Sequence, residues 1–266
     1  MRTIAHVSDL HFGREDARVA AALLRDLERD VPSVIAVSGD LTQRARRREF
    51  AAARDYLARM PAPVVVVPGN HDVPLWRFWE RLFAPFGAWR RHFDPATVRD
   101  RVGDGLAVVG VNTAHAWTTK HGRLRAADLA DLERRLAALP PGLARVVVAH
   151  HPVAAGPELG SEPSARRGAE LLRLSRRHGV DLVLCGHLHR SFSIPPERTL
   201  PGGGPLVVHC GTTLSSRGRG VERGANSLHW IEIDERVVTV ERRMWSAQEG
   251  RFRAVERAGY PRATPV

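Results

Sequence analysis

Residues 64–72, VVVVPGNHD, pass from four consecutive valines through a proline and a glycine to three polar residues. A short run of β-branched residues predicts a buried strand, and Gly69 allows the backbone to turn sharply after it. Asn70, His71 and Asp72 therefore follow the carboxyl end of a strand. In open α/β sheets, functional sites form at this edge.

Four other short apolar runs are followed by polar residues in the same way. Parallel strands bring the loops at their carboxyl ends together, so we expect these side chains to converge on Asn70. Residues 4–7 are followed by Asp9 and His11, and residues 34–37 by Asp40. Residues 146–149 are followed by His150, and residues 182–184 by His187 and His189.

Segments with helical spacing separate these strands over the first 185 residues, and Pro or Gly ends each of them. This alternation predicts an α/β fold with a largely parallel sheet. Residues 206–209, 227–233 and 237–245 follow one another without a helix, which predicts antiparallel strands over about 205–245. No repeat or linker divides the chain, so we expect one domain over residues 1–266.

Residues 74–93 contain seven aromatic residues, within an insertion that we place at about 74–100. The spacing of Trp76, Trp79 and Phe83 predicts one face of a short helix. We expect this face to pack on the domain. The alternatives are a substrate lid, a dimer contact and a membrane-surface helix.

The net charge of +11 suggests a nucleic-acid partner. However, Lys120 is the one lysine among 40 basic residues, a bias typical of a GC-rich genome, so nucleic acid is not favoured. Cys185 and Cys210 each end an apolar run, which predicts buried, reduced thiols. No apolar run approaches the roughly 18 residues of a membrane span, and residues 1–4 show no signal-peptide pattern, so we expect a cytoplasmic protein.

The converging set suits a metal centre. Imidazole combined with carboxylate and amide oxygens favours divalent Mn, Fe, Zn, Co or Ni. Seven ligands are too many for one tetrahedral ion and predict two ions that share a carboxylate. The candidate metal ligands are Asp9, His11, Asp40, Asn70, His150, His187 and His189.

Five motifs, in this order, resemble those of the calcineurin-like metallophosphoesterase superfamily over residues 1 to about 230. They are Asp9-x-His11, Gly39-Asp40, Gly69-Asn70-His71-Asp72, His150-His151-Pro152 and Gly186-His187-Leu188-His189.

The resemblance implies a four-layer α/β/β/α sandwich with a dimetal site at the carboxyl ends of the strands. It also divides the ligands between the two ions and makes Asp40 the bridge between them. Asp9, His11 and His189 would hold one ion, and Asn70, His150 and His187 the other.

The chemistry that the resemblance implies is attack on phosphorus by a hydroxide bridging the two ions. His71 would protonate the leaving oxygen or stabilise the oxyanion, and Asp72 would orient His71. The motif spellings are most similar to bacterial class III cyclic nucleotide phosphodiesterases and glycerophosphodiesterases, so we expect a small phosphodiester substrate. The candidate substrate-binding residues are Asn112, His115, Arg217, Arg219 and Arg223; the three arginines are equally well read as solvated.

Other functions remain open. A nuclease, a phosphomonoesterase or a pyrophosphatase would use the same centre, and the basic charge favours the nuclease. A non-catalytic binding scaffold is the alternative of another class, although every motif histidine is present. The sequence does not decide between a monomer and a homo-oligomer.

Overall fold

A computed structural model describes residues 2–93 and 100–262, and these form twelve strands in two sheets. The strands are β1 Arg2–Val7, β2 Val34–Val37, β3 Val64–Val66, β4 Arg101–Gly103, β5 Leu106–Gly110, β6 Ala144–Val148, β7 Leu182–Cys185, β8 Phe192–Ile194, β9 Leu206–His209, β10 Ser227–Ile233, β11 Val237–Ser246 and β12 Arg251–Pro261. The helices are α1 Ala17–Arg29, α2 Arg47–Leu57, α3 Phe78–Phe83, α4 Gly87–His92, α5 Ala126–Ala137, α6 Gly168–Arg177 and α7 Pro196–Thr199.

Both sheets are mixed. The first has the order β12-β11-β10-β1-β2-β3, with β1 to β3 parallel and β10 to β12 antiparallel. The second has the order β4-β5-β6-β7-β9-β8, with a parallel centre and an antiparallel strand at each edge. The ends of β1, β2, β3, β6 and β7 therefore carry the predicted ligands.

Residues 206–209 do not join the antiparallel strands that follow them along the chain. They form β9 in the second sheet, which pairs antiparallel with β8 but in parallel with β7. The reason is the connection, because residues 186–205 include β8 and α7 and return the chain in the direction of β7. The prediction is confirmed for β10 and β11, which are joined by a further strand, β12.

Alternate residues of each strand face opposite sides of its sheet. In β2, Val34 and Ala36 belong to the core between the two sheets, whereas Ile35 and Val37 pack in a second core with α1, α2 and α4. The outer face of the second sheet packs in the same way against α5 and α6. The molecule is thus the predicted α/β/β/α sandwich.

Helix α1 illustrates how the sequence sets these layers. It begins after Asp16, whose side chain accepts hydrogen bonds from the backbone N–H groups of Arg18 and Val19. Leu23 and Leu27, one turn apart, are fully buried against the sheet. Within the described residues, none of the helices has the length and apolar character required to cross a membrane.

The aromatic insertion does not pack as predicted. Trp76 precedes α3, and Trp76, Trp79 and Phe83 are 80%, 69% and 75% exposed. The polar side of α3 faces the domain instead, because Arg77 and Arg81 donate hydrogen bonds to backbone carbonyls of neighbouring loops. The later aromatic residues, Trp89 and Phe93, are buried beside Phe50. Residues 94–99 of the insertion lie outside the described residues.

Candidate metal centre

The seven predicted ligands converge at one edge of the sandwich. Around His11, the ring Nε2 lies 3.3 Å from Nε2 of His189 and 3.6 Å from Oδ1 of Asp9. Nε2 of His189 lies 3.1 Å from the same Asp9 oxygen. Together with Asp40, these residues place one ligand atom each within 4.8 Å of one another.

The remaining ligands form a second group next to the first. Oδ1 of Asn70 lies 3.2 Å from Nε2 of His150 and 3.0 Å from Nδ1 of His187. Asp40 stands between the groups, with Oδ1 3.4 Å from Nε2 of His150 and Oδ2 3.7 Å from Nε2 of His11. Its two carboxylate oxygens therefore face different sets of ligands.

Hydrogen bonds fix the orientation of three histidine rings. Nδ1 of His11, His150 and His189 lies 3.3, 2.7 and 2.8 Å from a backbone carbonyl oxygen. Because a carbonyl can only accept, Nδ1 carries the proton, and in the neutral ring the Nε2 lone pair points into the centre. Asp9 Oδ1 is buried there with no hydrogen-bond partner among the described residues. Lone pairs and carboxylates converging in this way fit divalent cations.

The electrostatics of the centre also favour bound positive charge. Burial opposes ionisation of Asp9 and Asp40, but the surrounding histidines hold the pKa of both carboxyls well below its usual value. Burial likewise opposes charge on His150, but the Asp40 carboxylate raises the pKa of that ring to about 9. Burial lowers the pKa of His11 to about 4 and that of His187 to about 3. The two carboxylates thus stay charged beside the neutral rings of His11 and His187 and the protonated ring of His150.

Most of the candidate ligands have backbone dihedral angles in the left-handed region. Among the described residues, eight other than glycine have a positive φ, and five of these are candidate ligands. This conformation costs an L-residue about 1–2 kcal/mol. The five are Asp9 (φ 52°), His11 (48°), Asp40 (52°), His187 (70°) and His189 (54°).

Two of the motif glycines are required by close approach. A Cβ atom on Gly39, where φ is +93°, would lie 2.6 Å from Nδ1 of His150. A Cβ atom on Gly69 would lie 2.1 Å from Oδ1 of Asp40. Neither position leaves room for a side chain, so these glycines let separate loops meet.

His71 lies beside the two groups, with its ring 4.9 Å from that of His11. Nδ1 donates to the Gln43 carbonyl at 2.8 Å, which leaves the Nε2 lone pair to accept from Nη1 of Arg217 at 3.0 Å. The backbone N–H of His71 donates to Oδ1 of Asp40. The Gln43 carbonyl therefore fixes the orientation of the His71 ring, and the Arg217 guanidinium is hydrogen-bonded to that ring.

The prediction that Asp72 orients His71 is wrong. The Asp72 carboxylate accepts four hydrogen bonds, from the backbone N–H groups of Gly69, Leu41 and Thr42 and from the Thr42 hydroxyl. Burial and the nearby Asp40 charge raise the pKa of this carboxyl to about 7, although the backbone donors act in the opposite direction. Asp72 ties the loop after β2 to the loop after β3.

A cavity of about 380 Å³ opens beside the candidate ligands. Of the five predicted substrate-binding residues, it contains Arg217 and Arg219. The residues that line it are Asp40, Gln43, Arg44, Asn70, His71, Val73, Leu75, Trp76, Thr119, Lys120, His187, His189, Arg217 and Arg219.

The structure does not bring the other three predicted substrate-binding residues to this cavity. Asn112 accepts a hydrogen bond from the backbone N–H of Ala114 and lines a separate cleft. Nε2 of His115 faces Asp128 at 3.7 Å. Arg223 is exposed on a turn. Their prediction is wrong because closeness to a strand end, or to a basic loop, does not fix the direction of a side chain.

Sequence reasoning also missed residues that line the cavity. Gln43 and Arg44 follow Asp40 closely along the chain, a signal that could have identified them. Lys120 is the single lysine of the chain, and composition does not predict contact with a site. The spacing of Trp76 predicts a packed helix face and gives no sign of the cavity.

Comparison with known proteins decides the family. The sequence profile of the calcineurin-like phosphoesterases matches residues 2–191. The chain belongs to this family. Membership makes the chain a metal-dependent phosphoric ester hydrolase.

Curated relatives of this family member are distant. A probable cyclic nucleotide phosphodiesterase of Synechococcus is 28% identical over 71% of this chain and 74% of its own length. The cyclic AMP phosphodiesterase CpdA of Escherichia coli is 27% identical, over 60% of this chain but only 56% of its own length. The glycerophosphodiester phosphodiesterase GpdQ of Enterobacter lignolyticus is 26% identical over 77% of each chain.

Among solved structures, the fold is shared with a purple acid phosphatase from yellow lupin seeds. The two chains are 14% identical with a TM-score of 0.72, and the match covers 98% of this chain and 54% of the other. This likeness supports the sandwich fold alone.

Proposed function

We propose that this calcineurin-like phosphoesterase holds two divalent transition-metal ions and hydrolyses small phosphodiesters such as cyclic nucleotides. The observation that carries the proposal is Asp40, whose two oxygens face separate groups of imidazoles. Mn, Fe, Zn, Co and Ni all suit the nitrogen and oxygen donors present. The names of the relatives support a phosphodiester as substrate.

The ligands divide into two sets about Asp40. One ion would be held by Asp9, His11 and His189, which share the contacts around Asp9 Oδ1. The other would be held by Asn70, His150 and His187, which share the contacts around Asn70 Oδ1. When bound, the pair of ions would neutralise phosphoryl charge and lower the pKa of water towards neutral.

Arg217 supplies a cationic donor beside the centre. Its guanidinium contacts His71, and Arg217 lines the same cavity, where it can donate to a phosphoryl oxygen. Once Arg217 turns to the substrate, Nε2 of His71 is free to take up a proton and pass it to a leaving oxygen. The Gln43 carbonyl holds the ring in position throughout.

The substrate class is tested with one panel. Protein loaded with Mn is assayed on bis-p-nitrophenyl phosphate, p-nitrophenyl phosphate, cyclic AMP and single-stranded DNA. We expect the two small diesters to be hydrolysed fastest, with activity lost in EDTA and restored by Mn. Faster cleavage of DNA would make the protein a nuclease, faster cleavage of the monoester a phosphomonoesterase, and no turnover would favour a binding scaffold.

The dinuclear assignment is tested on Asp40. Elemental analysis of the loaded wild type is expected to give two ions per chain. Asp40→Ala should lose activity and bound metal together, whereas the exposed control Asp55→Ala should keep both. Full activity with a single ion per chain would contradict the assignment.

A further inference from the structure

One exposed tryptophan, Trp76, lies in the lining of the cavity. Leu75 and Trp76 line the same cavity as Asp40 and His187. Trp76 is 80% exposed, so little of its indole is covered by the domain. A large apolar plane left free at the entrance of a site is available to a ligand.

Hydrogen bonds position this side of the mouth. Arg81 donates through Nη1 to the Pro74 carbonyl at 2.9 Å and through Nη2 to the Thr118 carbonyl at 3.1 Å. Arg77 donates to the Ala45 carbonyl in the loop after β2. The backbone next to Trp76 is thus tied to the loops that carry Arg44 and Lys120, while the indole itself stays free.

The lining of the cavity also carries positive charge. Arg44, Lys120, Arg217 and Arg219 line the cavity, and among the described lining residues Asp40 is the one carboxylate. Lys120 is paired with Glu162, which leaves the three arginines to face an anion. The cavity therefore combines basic side chains with one exposed indole, and this combination suits a phosphate joined to a flat ring.

We propose that Trp76 is a stacking platform for the nucleobase of a nucleotide substrate, and that it selects nucleoside phosphodiesters over aliphatic ones. The inference rests on the proposed function. Stacking of a base on an aromatic side chain strengthens binding by about tenfold or more. An aliphatic diester would use the arginines and the metal centre but gain nothing from the indole.

Measurements of binding separate the contribution of the base to affinity from that of the phosphate. Isothermal titration of Mn-loaded protein compares AMP with ribose 5-phosphate, which differ only in the base. We expect AMP to bind the wild type about tenfold more tightly, and Trp76→Ala to remove this difference. Trp76→Phe should keep most of it. Trp79→Ala is the matched control, because Trp79 is a similarly exposed tryptophan of the same segment outside the cavity lining.

Equal affinity of the wild type for the two ligands would overturn the inference, and so would an equal loss of both in Trp76→Ala. Kinetics give a second readout. Trp76→Ala should lower kcat/KM about tenfold for cyclic AMP and less than about twofold for glycerophosphoethanolamine. If the wild type hydrolyses neither diester, the proposed function fails, whereas the comparison of AMP with ribose 5-phosphate still decides the role of Trp76.

Discussion

Single atoms distinguish the histidines of this protein from one another. His11, His150 and His189 each donate a hydrogen bond from Nδ1 to a backbone carbonyl and present Nε2 to the centre. His71 has the same arrangement at Nδ1, but its Nε2 meets a guanidinium instead of the carboxylates. Since a ligand needs a lone pair that faces the ion, and Nε2 of His71 accepts from Arg217, we propose that His71 transfers a proton and does not hold an ion.

Replacing His71 by alanine should therefore separate chemistry from metal binding. We expect kcat on bis-p-nitrophenyl phosphate to fall by at least about tenfold while the metal content is unchanged. Steady-state kinetics and elemental analysis of the same sample measure both. His115→Ala is the control, because that ring lies against Asp128 away from the cavity, and its kcat should match the wild type. Loss of an ion in His71→Ala would instead identify His71 as a ligand.

For single residues, the sequence predicted that the candidate metal ligands converge, but it did not predict which residues line the cavity beside them. Asp9 and Asn112 both follow a strand, yet only Asp9 has the left-handed backbone that directs its side chain into the centre. Asn112 bonds to its own turn. Local backbone conformation after a strand separates the two cases, and residue type does not reveal it.

Between elements, Asp72 links two loops at the edge of the site. Four donors from two loops meet on one buried carboxylate, so the loop with Asp40 and the loop with Asn70 are held together. Helices with a clear period were predicted well, because their residues alternate between core and solvent. The central strands were predicted well for a different reason, since both of their faces are buried and their residues form short apolar runs. The short edge strand β8 and the pairing of β9 were not predicted, because partner choice depends on the connection and not on the strand itself.

Asp72→Asn tests this link. An amide nitrogen cannot accept, so some of the four donors lose their partner at about 1–3 kcal/mol for each buried group. We expect the free energy of unfolding to fall by about 2 kcal/mol in urea titrations of the metal-free protein. Asp55→Asn, an exposed pair partner of Arg54, should change it by less than about 0.5 kcal/mol. An unchanged midpoint for Asp72→Asn would contradict the role of this carboxylate.

Across the whole molecule, the two sheets are joined by more than their shared apolar core. Asp181, at the start of β7 in the second sheet, is 3% exposed and accepts from Nε and Nη2 of Arg262 at 3.0 and 3.1 Å. Arg262 directly follows β12, the edge strand of the first sheet. The four-layer arrangement was predicted from the family motifs, whereas this cross-sheet pair depends on a strand that was not predicted.

Removing Arg262 should leave a buried carboxylate without its cation. We expect Arg262→Ala to lower the free energy of unfolding by about 3 kcal/mol, as for other broken buried pairs. Arg257→Ala, which removes an exposed partner of Glu232, should cost less than about 1 kcal/mol. Chemical denaturation of both variants measures the difference, and equal midpoints would show that the pair does not join the sheets.

The left-handed backbone at five candidate ligands has a consequence for how this protein can change. Glycine adopts that conformation freely, so a glycine at Asp9, Asp40 or His189 would relax the chain while removing a ligand. At these positions, backbone strain is therefore relieved only by removing a candidate metal ligand. A relative that does not bind metal would therefore tolerate glycine at these positions, whereas a chain that keeps aspartate or histidine there retains both the strained backbone and the candidate ligands.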